Sequence, residues 1–151
     1  MDEAYQKLLT YALRLISKKR YTEHELLIKL KRKKEGSKKD RDLVIDRLKE
    51  LNYVDDKTFA GDFIRTRSEL SPRGKSMLQF ELRRKGIDKQ VVQAALEDAK
   101  IDEEDLIMRL LERKKKALNG LSGDKRRKKI ISLLGSRGFN PQAIYKIIEK
   151  C

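Results

Sequence analysis

The chain has 151 residues, enough for one domain or a few small repeats sharing a continuous core. Charged residues make up 41% and hydrophobic residues 38%, yet Leu, Ile, Val and Phe still supply about 27% of the chain, above the roughly 20% below which chains stay disordered. The formal net charge of +14 points to a polyanionic partner, the single cysteine (Cys151) excludes an internal disulfide and suits a reducing cytoplasmic setting, and no apolar run reaches the ~18 residues of a membrane span or forms a signal peptide behind Met1-Asp2-Glu3.

The spacing is helical throughout. Tyr5, Leu8, Leu9, Ala12, Leu15 and Ile16 place a first helix near the N-terminus. Thr22, with Glu25 three residues on, forms a capping box that opens a second helix carrying Leu26, Leu27 and Leu30, expected to stop at Gly36-Ser37. A third carries Leu43, Val44, Leu48 and Leu51. Asp55-Asp56 then caps a fourth, with Phe59, Ala60, Phe63 and Ile64. Ser71-Pro72 reads as an N-cap and first helical position for a helix with Leu78 and Leu82 that stops at Gly86. Asp88 caps the next, with Val91, Val92, Ala95 and Leu96. Asp102 and an acidic first turn (Glu103, Glu104, Asp105) open a helix with Leu106, Leu110 and Leu111 that ends near Gly120. Another carries Ile130, Ile131 and Leu134 and stops at Gly138, and Asn140-Pro141 starts the last, with Ile144, Ile147 and Ile148. No strand or hairpin-turn pattern competes.

The pattern recurs. Leu30, Leu82 and Leu134 are 52 residues apart, as are Leu26, Leu78 and Ile130, and so are Gly86 and Gly138. The expectation is an all-α chain of three tandem three-helix repeats, at 1–54, 55–101 and 102–151, forming an elongated, curved array. Net charge is +6, +2 and +6 in those three segments.

Catalytic chemistry finds little support. Asp55-Asp56 has the residue types of a metal-binding carboxylate pair, but between two helices capping is the simpler role. His24 is the only histidine, too few for a zinc site, and reads as a solvated surface residue; Cys151 reads as a free thiol. Gly86, Gly120, Gly123 and Gly138 are isolated, form no phosphate loop and read as helix stops. No cofactor or metal is expected, and the chain is read as a non-enzyme.

Basic clusters carry the chemical signal. Lys18-Lys19-Arg20 ends the first helix, and Lys31-Arg32-Lys33 crowds the end of the second. Arg73 and Lys75 open the fifth, and Arg83-Arg84-Lys85 closes it. Lys114-Lys115 and Lys125-Arg126-Arg127-Lys128-Lys129 bracket the Gly120–Gly123 loop. Helix-dipole stabilisation explains a cluster or two, but a run of five like charges repels itself unless an anion is near. Lysine dominance, few aromatics and no Trp favour phosphate contact over base reading or a stacking platform. Contact with single- and double-stranded DNA through phosphates follows, by a monomer without membrane association.

A family likeness runs along nearly the whole chain. Leu51 through Arg67 (LNYVDDKTFAGDFIRTR) resembles the central signature of the RecX family, bacterial regulators of the RecA recombinase. So does Gly74 followed by Glu81-Leu82-Arg83-Arg84-Lys85-Gly86-Ile87. Arg137-Gly138-Phe139 with Ile144 resembles that family's third repeat, and Ala12-Leu13-Arg14 with Thr22 through Leu30 its first. One departure is the Lys33-Lys34-Glu35-Gly36 loop, two residues longer before its glycine than the corresponding loop of the second repeat. The resemblance implies three tandem three-helix repeats that bind in the groove of the RecA–DNA filament. It also implies inhibition of filament growth, ATP hydrolysis, strand exchange and co-protease function, with no enzymatic activity. The competing readings are a stand-alone, sequence-independent DNA-binding protein or helix-turn-helix regulator and, on Asp55-Asp56 alone, a phosphoryl-transfer enzyme.

Overall fold

The computed structural model describes residues 2–150; Cys151, read as a free thiol, lies outside them. Among the described residues there are ten helices and no strand: α1 Glu3–Ile16, α2 Glu23–Arg32, α3 Lys38–Glu50, α4 Asp56–Leu70, α5 Lys75–Arg84, α6 Lys89–Asp98, α7 Glu103–Arg113, α8 Lys115–Asn119, α9 Gly123–Ser136 and α10 Pro141–Lys150. The chain is an all-α tandem helical array.

It divides into two compact units. One comprises residues 1–60 and 82–92, the other 61–81 and 93–151. In the first, α1, α2 and α3 close over a core of Tyr5, Leu8, Ala12, Leu26, Leu30, Val44, Ile45, Leu48 and Val54. In the second, α7 to α10 bury Leu106, Ile107, Leu110, Leu118, Ile130, Leu134, Phe139, Ile144 and Ile147. Each fully buried Leu contributes on the order of 1.5–3 kcal/mol, so these narrow apolar stripes suffice to hold helices whose other faces are charged.

Caps fix several boundaries. The Thr22–Glu25 capping box is complete: Glu25 N–H donates to Thr22 Oγ1 at 3.2 Å and Thr22 N–H to Glu25 Oε1 at 3.0 Å. Ser37 and Asp40 form a second box at the start of α3, where the Ser37 N–H holds the Asp40 carboxyl below the usual carboxylate range. Pro141 occupies the first position of α10 behind Asn140, whose Oδ1 accepts from Gln142 N–H.

Some expectations needed correction. α2 ends at Arg32, before Gly36, because Lys34 adopts a left-handed conformation (φ 57). The buried stripe of α3 is Val44, Ile45 and Leu48, leaving Leu43 and Leu51 exposed. Ser71-Pro72 does not open α5. The helix begins at Lys75, Gly74 supplies the first accepting carbonyl to Leu78 N–H, and Ser71 is instead a hydrogen-bond partner of two arginines. The expected single helix up to Gly120 is two, α7 and α8, broken at Lys114, whose backbone leaves the helical region (φ −97, ψ 7). Gly123 lies at the start of α9 and is not a stop.

Candidate nucleic-acid and filament interface

Fifteen of the eighteen basic residues singled out in the sequence are exposed; Arg73, Lys85 and Arg126 are half-buried. Local structure sorts the clusters by what already neutralises them.

Within the first unit, Lys18, Lys19 and Arg20 occupy the exposed turn after α1, with the Lys19 ammonium 4.6 Å from the Tyr21 ring centre. Lys31 and Arg32 lie in the last turn of α2, and Lys33 is its C-cap. Arg83 and Arg84 sit in the last turn of α5, and Arg83 donates to the Ile87 carbonyl at 3.0 Å. These clusters face helix C-termini, where each cation gains roughly 0.3–1 kcal/mol from the dipole, so their presence has a local cause. Lys85 is more committed. Its ammonium pairs with Glu25 at 3.4 Å and lies 5.7 Å from the Phe59 ring centre, while its carbonyl accepts from the buried Thr22 hydroxyl.

In the second unit, Arg73 belongs to the scaffold. It donates to Glu81 at 2.6 Å and to the Ser71 carbonyl and hydroxyl, and Arg137 reaches the same hydroxyl at 3.0 Å. Arg113, which sequence reasoning passed over, donates to the carbonyls of Glu69 and Leu70. Nothing in a sequence separates such arginines from exposed ones, because their partners lie 43 to 66 positions away. Lys75 gives its backbone N–H to Glu103 and keeps an exposed side chain. Lys114 and Lys115 are exposed at the α7–α8 break, Lys115 lying 3.9 Å from Glu112.

The run Lys125–Lys129 stands apart. It begins at the third residue of α9, at the positive end of the helix. The N-cap Ser122 makes no side-chain capping bond, and Asp124 is the one acid in the first turn. Here the dipole opposes the charges, so the stabilising explanation that covers α2 and α5 has the wrong sign. Free N–H groups and five cations together make a site suited to an anion.

The two aspartates have separate structural duties. Asp55 caps α4: it accepts from Thr58 N–H at 3.1 Å, which lowers its pKa, and from the Thr58 hydroxyl. Asp56 instead caps α2, accepting from Glu23 N–H at 2.9 Å, and burial raises its pKa. Among the described residues no group of three or more His, Cys, Asp or Glu could hold a metal ion, and no helix is long and apolar enough to cross a membrane. His24 is exposed, although its Cβ and Cγ pack under Gly86.

Residues 55–96 match the family model for the second three-helix domain of RecX, and residues 102–148 match that for the third. The chain is 31% identical to the regulatory protein RecX of Chlorobium phaeobacteroides over 99% of its own length and 96% of the relative's. It is 34% identical to that of Chlorobium limicola over 99% and 92%. The crystal structure of RecX from Lactobacillus salivarius superposes with a TM-score of 0.86 at 24% identity, covering 99% of this chain and 97% of the other, and so shares the fold.

Proposed function

This chain belongs to the RecX family, and on that premise we propose that it is a negative modulator of the RecA recombinase that binds the groove of the RecA–DNA filament and inhibits filament growth, ATP hydrolysis and strand exchange. DNA contact in this reading is sequence-independent and made to phosphates. The observation that carries it is the exposed run Lys125–Lys129, held at the positive end of α9 against the local electrostatic preference. Such an arrangement destabilises the free helix and is relieved by a bound polyanion.

The three-helix modules proposed at 1–54, 55–101 and 102–151 divide the labour. The two +6 modules supply phosphate contact and the +2 module mainly protein contact. Several modest contacts along a repetitive filament would multiply into a high avidity. The protein acts as a cytoplasmic monomer, without a cofactor and without catalysis of its own. Stand-alone DNA binding is the weaker reading, since recognition helices present Arg, Asn or Gln to base edges, whereas the cations here crowd helix ends.

The test is to add the protein to a RecA filament on single-stranded DNA and follow ATP hydrolysis and filament length. Shortened filaments and falling hydrolysis at stoichiometric protein are expected. Unchanged values would leave only the DNA-binding reading.

A further inference from the structure

The first unit contains an open cleft of about 380 Å³, outside the basic clusters except at Lys33. Tyr11 and Arg14, one turn apart on α1, line one side, and Lys33 and Glu35, from the connection between α2 and α3, line the other. The Glu3–Lys7 ion pair, at 3.4 Å, completes the rim. The volume falls at the low end of the roughly 300–1,000 Å³ of small-ligand sites.

Three features of this cleft have complementary chemistry. Tyr11 is half-buried against the core, which fixes its ring, and the Lys33 ammonium lies 4.9 Å from the ring centre. Arg14 is exposed, so the cleft offers two cations beside one aromatic face. Glu35 Oε2 is buried without a hydrogen-bond partner, an acceptor in want of a donor. A buried carboxylate oxygen is costly to leave unsatisfied, so a donor-bearing ligand is favoured over a purely anionic one.

We propose that this cleft binds one unstacked nucleotide of a single strand, with its base on Tyr11, its phosphate on Arg14 and Lys33, and an exocyclic amine donated to Glu35. The inference rests on the nucleic-acid part of the reading above and adds a base preference to it. Lys33 leaves the ring for the phosphate as the base arrives. That exchange is favourable because a stacked base contributes more than an exposed cation–π contact. Adenine and cytosine carry an exocyclic amine and thymine does not, so the cleft discriminates by donor. The scarcity of aromatics argues against a platform for many bases, but a single-base cleft needs one ring.

The experiment is equilibrium binding of short labelled oligo(dA) and oligo(dT) to the intact chain without RecA. Wild type should prefer oligo(dA). Tyr11→Leu should weaken oligo(dA) binding about tenfold and leave the salt slope unchanged, since stacking releases no counterions. Tyr11→Phe should retain wild-type binding. Glu35→Leu should bring oligo(dA) down to the level of oligo(dT). Should Tyr11→Leu fail to fold, the wild-type preference and its loss in Glu35→Leu decide. Equal affinity of wild type for the two oligomers, absence of binding to either, or a folded Tyr11→Leu variant that binds oligo(dA) like wild type overturns the proposal. An oligo(dA) preference in a protein that leaves RecA filaments untouched would sink the filament reading and keep this one.

Discussion

The hydroxyl of Thr22 donates to the main-chain carbonyl of Lys85 at 2.6 Å, and the pair recurs 52 positions on, where the Gly74 N–H donates to the Arg137 carbonyl at 2.8 Å. In each case the start of one helix-turn receives the carbonyl that precedes a left-handed glycine, Gly86 (φ 82) or Gly138 (φ 77). Nearby, a first-turn carboxylate accepts an N–H from the helix start: Asp56 from Glu23, and Glu103 from Lys75 at 2.8 Å. Glu103 also accepts from Asn140 N–H at 2.7 Å, so one side chain serves two helix starts. The repeat in sequence is thus a repeat of one joint.

Thr22 is fully buried, and its hydroxyl both donates to Lys85 and accepts from Glu25. Thr22→Val keeps the shape and removes both bonds, leaving a carbonyl and an N–H without partners. A decrease of about 1–3 kcal/mol is expected in urea unfolding, with Thr22→Ser close to wild type.

Glycine substitutions should separate by position. A Cβ on Gly86 would overlap the Cβ and ring of His24, and one on Gly138 would sit 2.6 Å from the Met77 backbone nitrogen, both at left-handed φ. Gly86→Ala and Gly138→Ala should each cost more than the ~1 kcal/mol of the backbone strain alone. Gly135 lies within α9 with nothing within 4 Å of its added Cβ. Gly135→Ala should stabilise the protein by ~0.5–1 kcal/mol, read as a raised Tm.

The basic run of α9 should show opposite effects on stability and binding. Replacing Lys125 and Arg126 by Glu puts acids at the positive helix end and should raise the Tm, by ~0.3–1 kcal/mol per site. The same change should weaken DNA binding. Neutralising all of Lys125–Lys129 to Gln should flatten the slope of log K against log salt, by up to ~0.7 for each phosphate of a single strand that the run neutralises. An unchanged slope would show that this run meets no phosphate.

The aspartate pair should give opposing pH signatures. Asp55 has a lowered pKa through Thr58 N–H, so its contribution is present above the ordinary value of about 3.9 and is lost as pH falls through its folded value. Asp55→Ala should cost ~1 kcal/mol at neutral pH, with the gap to wild type closing on acidification. Asp56 has a raised pKa through burial, so the folded state binds its proton more tightly and stability falls as pH rises from about 3.9 through the folded value. Asp56→Asn keeps the acceptor for Glu23 N–H and should be more stable than wild type at neutral pH, converging with it in acid. Unfolding free energies measured across that range check both signs.

Much of this protein was readable in its sequence because it rests on local rules. Helix periodicity, the Thr22–Glu25 box, Pro141 behind Asn140 and the 52-residue spacing all depend on residues within a few positions of one another or on simple recurrence. The family signature was legible for the same reason. Tertiary structure decided what depends on distant partners. It moved the start of α5 to Gly74, which is packed too closely against Gly138 to carry a side chain, and turned Asp56 from a cap of its own helix into a cap of α2. It also separated cations by environment. Arg73 and Lys85 read in the sequence like Lys125 or Arg83, but Glu81 and Glu25 reach them from other turns and helices, and low dielectric around half-buried pairs makes those partners count. Charge is written in the chain; which charges remain available to a polyanion is set by what folding brings beside them.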